Sequence, residues 1–259
     1  MYKKVHRDDS SIQEEWVTTD EFHKEMEDLV FKVPADLFLP CGGRPETIDG
    51  MNWHKLFDRN GKASVRVITE GANSFITPEA RAEIQKKGVI VLRDASANKC
   101  GVICSSYEII ANLLMTEKEF LLHKEAYVKD VFAILEKRAE EEATLIFKRH
   151  REGNGSYFFT EISDAVSGEI NDHYSKLFAF FQNRPELVSR HLFQKTILDH
   201  LPAFVRANKK IKARVGSLPL KIQCAILASE IGTRIVYHGG WETNLESRLS
   251  QYLKEHEPI

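Results

Sequence analysis

Two carboxamides, Asn73 and Asn98, each follow a short apolar run at the point where it breaks off. A carboxamide carries both a donor and an acceptor, so the pair can grip a ribose or the amide of a nicotinamide ring. Either Asn can equally do no more than close a turn, where Asn is common. Gly71 and Ala72 stand directly before Asn73. Residues that small let a flat ligand come close to the backbone.

The elements that must position these residues are legible from residue type. Val65 to Ile68 is a short apolar run that breaks into Glu70-Gly71-Ala72-Asn73. Gly88 to Leu92 is a second, followed by Asp94-Ala95-Ser96-Ala97-Asn98. Runs this short, ended by Gly and Asn, suit buried parallel strands. Thr77-Pro78-Glu79-Ala80 is a helix start: Thr caps, Pro has the φ of a first turn, and Glu favours the positive end. Gly101 opens another helical pattern. Upstream, Leu37 to Leu39 reads as a strand that Pro40 ends, since proline cannot donate to a sheet ladder. Both polar loops then lie at one edge of a sheet, where open α/β sheets bind ligands.

Three motifs carry a family resemblance. They are Ala35-Asp36-Leu37-Phe38-Leu39-Pro40-Cys41, then Glu70-Gly71-Ala72-Asn73 with Thr77-Pro78-Glu79-Ala80, then Ala97-Asn98-x-x-Gly101-Val102-x-x-Ser105-x-x-Glu108. In this order the set resembles the cofactor domain of the glutamate dehydrogenases and the wider amino-acid dehydrogenase family, over about residues 28–115. The resemblance implies NAD as cofactor. It implies that Pro40 and Cys41 lie beside the cofactor ribose. Gly71 joins them on the cofactor side, Asn73 and Asn98 are nicotinamide-side contacts, and Ser105 reaches the substrate carboxylate. Three departures stand out: Cys100-Gly101 replaces a Gly-Gly pair, Leu92-Arg93-Asp94 lacks a common proline, and the loop Gly42 to Glu46 is long. They look most like the large NAD-specific branch of glutamate dehydrogenases.

The 259 residues suffice for one or two domains, and a 42% hydrophobic content can supply a core. A net charge of −2 argues against a broad nucleic-acid or membrane surface. No apolar run approaches the roughly 20 residues that span a bilayer. Cys41, Cys100, Cys104 and Cys224 show neither disulfide nor zinc spacing, which suits reduced thiols and no metal. The expected compartment is the cytoplasm, with the mitochondrial matrix as the alternative.

The rest of the chain reads as helical. Thr19 to Met26 forms a short capped helix and Leu29 to Val33 a short strand. Thr116-Glu117-Lys118-Glu119 is a capping box opening an amphipathic stretch that covers Tyr127 to Arg149, with Glu140-Glu141-Glu142 as a solvated face. Arg149 to Ser156 is a linker or turn. Helices follow from Phe158, from Pro185 to Leu201, and from Leu218 until Gly239-Gly240. The cluster Lys209 to Arg214 reads as solvated surface, with a phosphate or a partner carboxylate as the alternative, and Trp241 to Leu253 as a last helix. The fold class is thus α/β: residues 1–115 as the second half of a Rossmann-like cofactor domain, residues 116–259 as an all-helical C-terminal region.

No Gly-x-Gly-x-x-Gly occurs in the chain, nor does the family's segment around the catalytic lysine. The expectation is therefore a C-terminal portion of an NAD-dependent glutamate dehydrogenase, which oxidatively deaminates L-glutamate to 2-oxoglutarate and ammonia. It contributes orienting residues and no catalytic ones, is inactive alone, and belongs to a homo-oligomer when complete. The competing readings are an enzyme for an apolar amino acid, which Ser105 disfavours, and a non-catalytic helical interaction or regulatory module.

Overall fold

The computed structural model describes residues 1–8 and 11–238. They form a mostly helical protein with a small parallel sheet, in two compact units that divide after Asp94.

In the first unit, strands β1 (Tyr2–Asp8) and β2 (Ser11–Val17) form an antiparallel hairpin in a stretch whose charge hides any strand signal. Helix α1 (Thr19–Lys32) starts at Thr19 as expected, with Thr18 as its cap, where Thr18 and Glu21 close a reciprocal capping box. It also absorbs Leu29 to Lys32, read from sequence as strand. Val30 and Phe31 pack on the core from helical positions, and the Val33 amide still donates to the Leu29 carbonyl.

The parallel sheet has the order β3-β4-β5, with β3 at Ala35–Phe38, β4 at Val65–Thr69 and β5 at Ile90–Leu92. Phe38 pairs with Ile68, and Thr69 with Leu92, so the carboxyl ends of all three strands lie at one edge. Helix α2 (Pro78–Lys86), capped by Thr77, joins β4 to β5. Ile68, Val91, Ile76, Ala80 and Ile84 form the core between sheet and helix. A 3-10 turn, Trp53–Leu56, precedes β4.

After β5 the expected loop is a helical turn, α3 (Asp94–Ala97), and α4 (Lys99–Leu114) follows at once. Helix α5 (Glu117–Glu152) runs unbroken for 36 residues from the Thr116–Glu119 capping box. It passes through the start of the expected linker because Arg149 is buried there, with both terminal nitrogens 2.7 Å from the Glu169 carboxylate. Helix α6 (Phe159–Gln182) packs along α11 (Leu220–His238). The two approach closely at Gly232, where a Cβ would stand 3.4 Å from the Tyr174 nitrogen. Between them run α7 (Pro185–Val188), α8 (His191–His200), α9 (Ala203–Ala207) and α10 (Lys209–Lys212). The helix expected from Pro185 to Leu201 is thus two, separated at Ser189 and Arg190. The apolar face of α4, with Tyr107, Ile110 and Leu114, belongs to this helical core, together with Leu177, Phe181, Ile197 and Leu227.

Two charge readings change. Glu142 is buried rather than solvated, bound by Lys99 at 2.6 and 2.8 Å and by the Tyr237 hydroxyl at 2.9 Å. The basic cluster meets a carboxylate of its own chain: Lys210 lies 2.8 Å and Arg214 2.7 Å from Glu119. The helix expected over Trp241 to Leu253, and the Gly239-Gly240 stop, lie outside the described residues.

Glu230 of α11 anchors a buried network with His200 at 3.0 Å and Arg234 at 2.9 Å, and Arg138 of α5 closes it. Burial pushes its carboxyl up. The His200 hydrogen bond and the charges of Arg138, His200 and Arg234 outweigh that and hold it well below the usual carboxylate range. A depressed acid stabilises the fold above its unfolded pKa, near 4.5, and that stability drains away as pH falls below it. Urea unfolding should therefore show stability falling from pH 5 to pH 3, with a shallower fall in Glu230→Gln. An equal slope in both proteins would assign the acid sensitivity elsewhere.

Candidate cofactor-side site

The site begins where β4 ends. The Glu70 amide donates to the Leu92 carbonyl at 2.9 Å, extending the ladder by one step, and then the chain turns away. The Glu70 side chain points inward and is 0% exposed; Arg81 of α2 meets it at 7% exposure. Arg81 Nε donates to Glu70 Oε2 at 2.9 Å and Nη2 to Oε1 at 3.2 Å. The pair also serves the backbone between them. Ile76 N–H donates to Glu70 Oε1 at 3.0 Å, and Arg81 Nη2 donates to the Ile76 carbonyl at 2.7 Å. Burial raises the Glu70 carboxyl above its ordinary range, and the Arg81 and Ile76 bonds offset only part of that.

This clamp shapes residues 71–75 into a loop fixed at several further points. Ala72 N–H donates to the Pro40 carbonyl at 2.6 Å, joining the ends of β4 and β3. Ser74 sits at φ +51, a left-handed conformation rare for Ser. Its amide donates to Asp94 at 2.9 Å, and its carbonyl accepts from Glu46, itself at φ +59, at 2.7 Å. Phe75 packs edge-on against Phe38, with ring centroids 5.8 Å apart. Gly71 has a packing role: a Cβ there would lie 3.1 Å from Cys41 Sγ and 3.3 Å from the Pro40 carbonyl oxygen. Pro40, Cys41 and Gly71 are thus brought together, with Asn73 exposed beside them.

In the second unit, Asn98 occupies the N-cap position of α4 without its side chain capping the helix, whereas the sequence had put it in a loop at the end of β5. Ser105 lies two turns on, so Asn98 and Ser105 share one face of α4 with Val102 and Ile109. That face is open: Val102 is 73% and Ile109 55% exposed. The Ser105 hydroxyl donates to the Gly101 carbonyl at 3.2 Å. Lys99, through its buried bond to Glu142, anchors the first turn of the helix to α5.

On the loop of the first unit and on the face of α4, each taken by itself, the candidate residues are uncharged donors and acceptors: two carboxamides, a hydroxyl, a thiol and backbone. That set suits a ribose and a carboxamide, the nicotinamide side of a dinucleotide, and these residues offer no cation for a pyrophosphate. Sequence reasoning assigned no role to Glu70, Arg81 or Asp94. The one signal, an acid ending a strand and a base eleven positions on in the following helix, becomes readable only once the turn between them is known.

Comparison with known proteins gives the class. The family model described as glutamate/leucine/phenylalanine/valine dehydrogenase matches residues 2–168, and the chain belongs to that family. It is 34% identical over 221 residues to glutamate dehydrogenase 2 of Dictyostelium discoideum, covering 81% of this chain and 21% of that protein. It is 33% identical over 219 residues to the NAD-specific glutamate dehydrogenase of Neurospora crassa, covering 80% of this chain and 20% of that one. Against the NAD-specific glutamate dehydrogenase of Saccharomyces cerevisiae it is 32% identical over 241 residues, covering 86% and 21%. The chain therefore spans about a fifth of the length of these relatives. No solved structure matches it.

Removing one partner of a buried pair strands the other. Arg81→Met should cost about 3–5 kcal/mol in urea unfolding; a loss under 1 kcal/mol would show that Glu70 finds another partner or water. Gly71→Ala should cost about 1–3 kcal/mol by forcing the Cys41 loop away. Adding Cys41→Ala should return part of that loss, because the sulfur contact is the closer of the two. If the double variant is no more stable than Gly71→Ala, the carbonyl contact dominates.

Proposed function

We propose that this chain supplies the nicotinamide side of the active site in an NAD-dependent glutamate dehydrogenase, which converts L-glutamate to 2-oxoglutarate and ammonia. The observation that carries the reading is the stitched edge at the carboxyl ends of β3 and β4. There Pro40, Cys41 and Gly71 pack together and Asn73 faces outward. In this reading residues 1–115 are the second half of a Rossmann-like cofactor domain and residues 116–259 a helical region. Bound NAD would accept a hydride from the substrate. The chain's own residues orient: Asn73 and Asn98 bond the carboxamide and ribose, while Pro40, Cys41 and Gly71 shape the wall beside them. Ser105 turns its hydroxyl from the Gly101 carbonyl to a substrate carboxylate. Val102 and Ile109, exposed on the same face as Asn98 and Ser105, cover the apolar side of the ligands.

No proton-transferring lysine or aspartate is assigned to these residues, and orientation alone does not turn substrate over. The 259-residue chain is therefore proposed to bind without catalysis, and the complete enzyme to be a homo-oligomer.

Titrating the chain with NADH, followed by nucleotide fluorescence, tests this. The unaltered chain should bind, and Asn73→Ala and Asn98→Ala should each weaken binding about tenfold, as expected for a lost hydrogen bond of roughly 1–1.5 kcal/mol. No binding by the unaltered chain, or equal binding by both variants, would refute the reading. NADH formation from glutamate by the chain alone would refute the proposed inactivity.

A further inference from the structure

A groove of about 470 Å³ lies between α4 and α5, within the helical unit. Its size falls in the range of small-molecule sites, about 300–1,000 Å³. None of the residues proposed to hold the cofactor or substrate lines it. The floor and walls are apolar: the rings of Tyr107, Phe120, Tyr127 and Phe132, with Val131 and Met115. The two tyrosine hydroxyls are spent inside the protein. Tyr127 donates to the Tyr107 carbonyl at 2.7 Å, and Tyr107 to the His200 carbonyl at 3.0 Å. The floor therefore offers ring faces and aliphatic carbon, and the body of any ligand must be apolar.

The rim has one sign. It carries Glu108 from α4 and Glu117 from α5, with the neutral Cys104 and Asn112 between. Glu108 accepts from the Cys104 thiol at 3.5 Å. Among the described residues neither glutamate has a basic partner. Outside Val128 and Phe132 the surface of α5 is balanced, with Lys124 and Lys129 set beside Glu125 and Glu136. An apolar slot closed by two unneutralised carboxylates complements a cation with a hydrocarbon body, and it repels carboxylates.

We infer that the α4–α5 groove binds a hydrophobic amine, its hydrocarbon on the aromatic floor and its ammonium at Glu108 and Glu117. This class is opposite in charge to an acidic amino acid or a dinucleotide, so the site is separate from the proposed active site. The inference does not depend on that proposal.

The chain has four methionines, Met1, Met26, Met51 and Met115, and of these only Met115 lines the groove. Methyl-labelled methionine therefore gives an NMR probe that reports location as well as binding. Octylamine, octanol and octanoate, below their aggregation thresholds, supply one hydrocarbon with three head charges. Octylamine should shift the Met115 methyl saturably and leave Met26 and Met51 unmoved. Octanol should bind more weakly and octanoate not at all. Glu108→Gln with Glu117→Gln, both at exposed positions, should reduce octylamine affinity about fivefold and leave octanol unchanged. An equal response to all three heads would mean an apolar surface that a polypeptide covers, and would overturn the proposal. So would a uniform response of Met26, Met51 and Met115, or no response of Met115 to octylamine.

Discussion

A buried ion pair sets the shape of the site edge in the first unit. Glu70 and Arg81 link the last residue of the β4 ladder to the first turn of α2, and together they satisfy both backbone groups of Ile76. Taking two charges out of water is costly, and an apolar pair of the same volume is often as stable. An apolar pair would leave the Ile76 amide and carbonyl buried without partners, each at about 1–3 kcal/mol. The ion pair is thus the solution for a loop that leaves a strand and re-enters a helix within a few residues. Its consequence lies outside the core: residues 71–74 face outward in a fixed shape, including a left-handed Ser74 that the Asp94 bond helps to hold.

The helical unit solves a similar problem by similar means. Lys99 and Tyr237 share Glu142, and Arg138, Arg234 and His200 share Glu230. Each network joins α5 to another helix at a defined point. Apolar ridges alone permit helices to slide, whereas a buried charge with fixed partners has one good register. For α4 the result is a first turn held in place, with Asn98 and Ser105 presented on its open face.

Much of the parallel sheet was legible because its signals are local. Short apolar runs, the break at Pro40, and Thr77-Pro78-Glu79 at the start of α2 need no partner to be read. The capping box at Thr116 is equally local. What the sequence hid was long-range or masked by charge. The strands β1 and β2 carry too many ionic residues to look like strands. Leu29 to Val33 is apolar enough for a strand, yet it is claimed by the helix that Thr18 nucleates. Glu142 and the basic cluster at Lys210 and Arg214 look solvated by composition, and their partners lie 43 and about 90 positions away. At the site, the family motifs marked Pro40, Gly71, Asn73, Asn98 and Ser105. The clamp behind them was invisible because a Glu and an Arg eleven residues apart announce an ion pair only once the turn between them is known.

The proposed function rests first on the clamped loop, which would hold the nicotinamide side of NAD. Residue-resolved amide shifts during an NADH titration of the chain test it most directly. The account predicts that the amides of Ala72 and Asn73 shift saturably, while those around Met115 stay still. Shifts confined to other parts of the chain would contradict it.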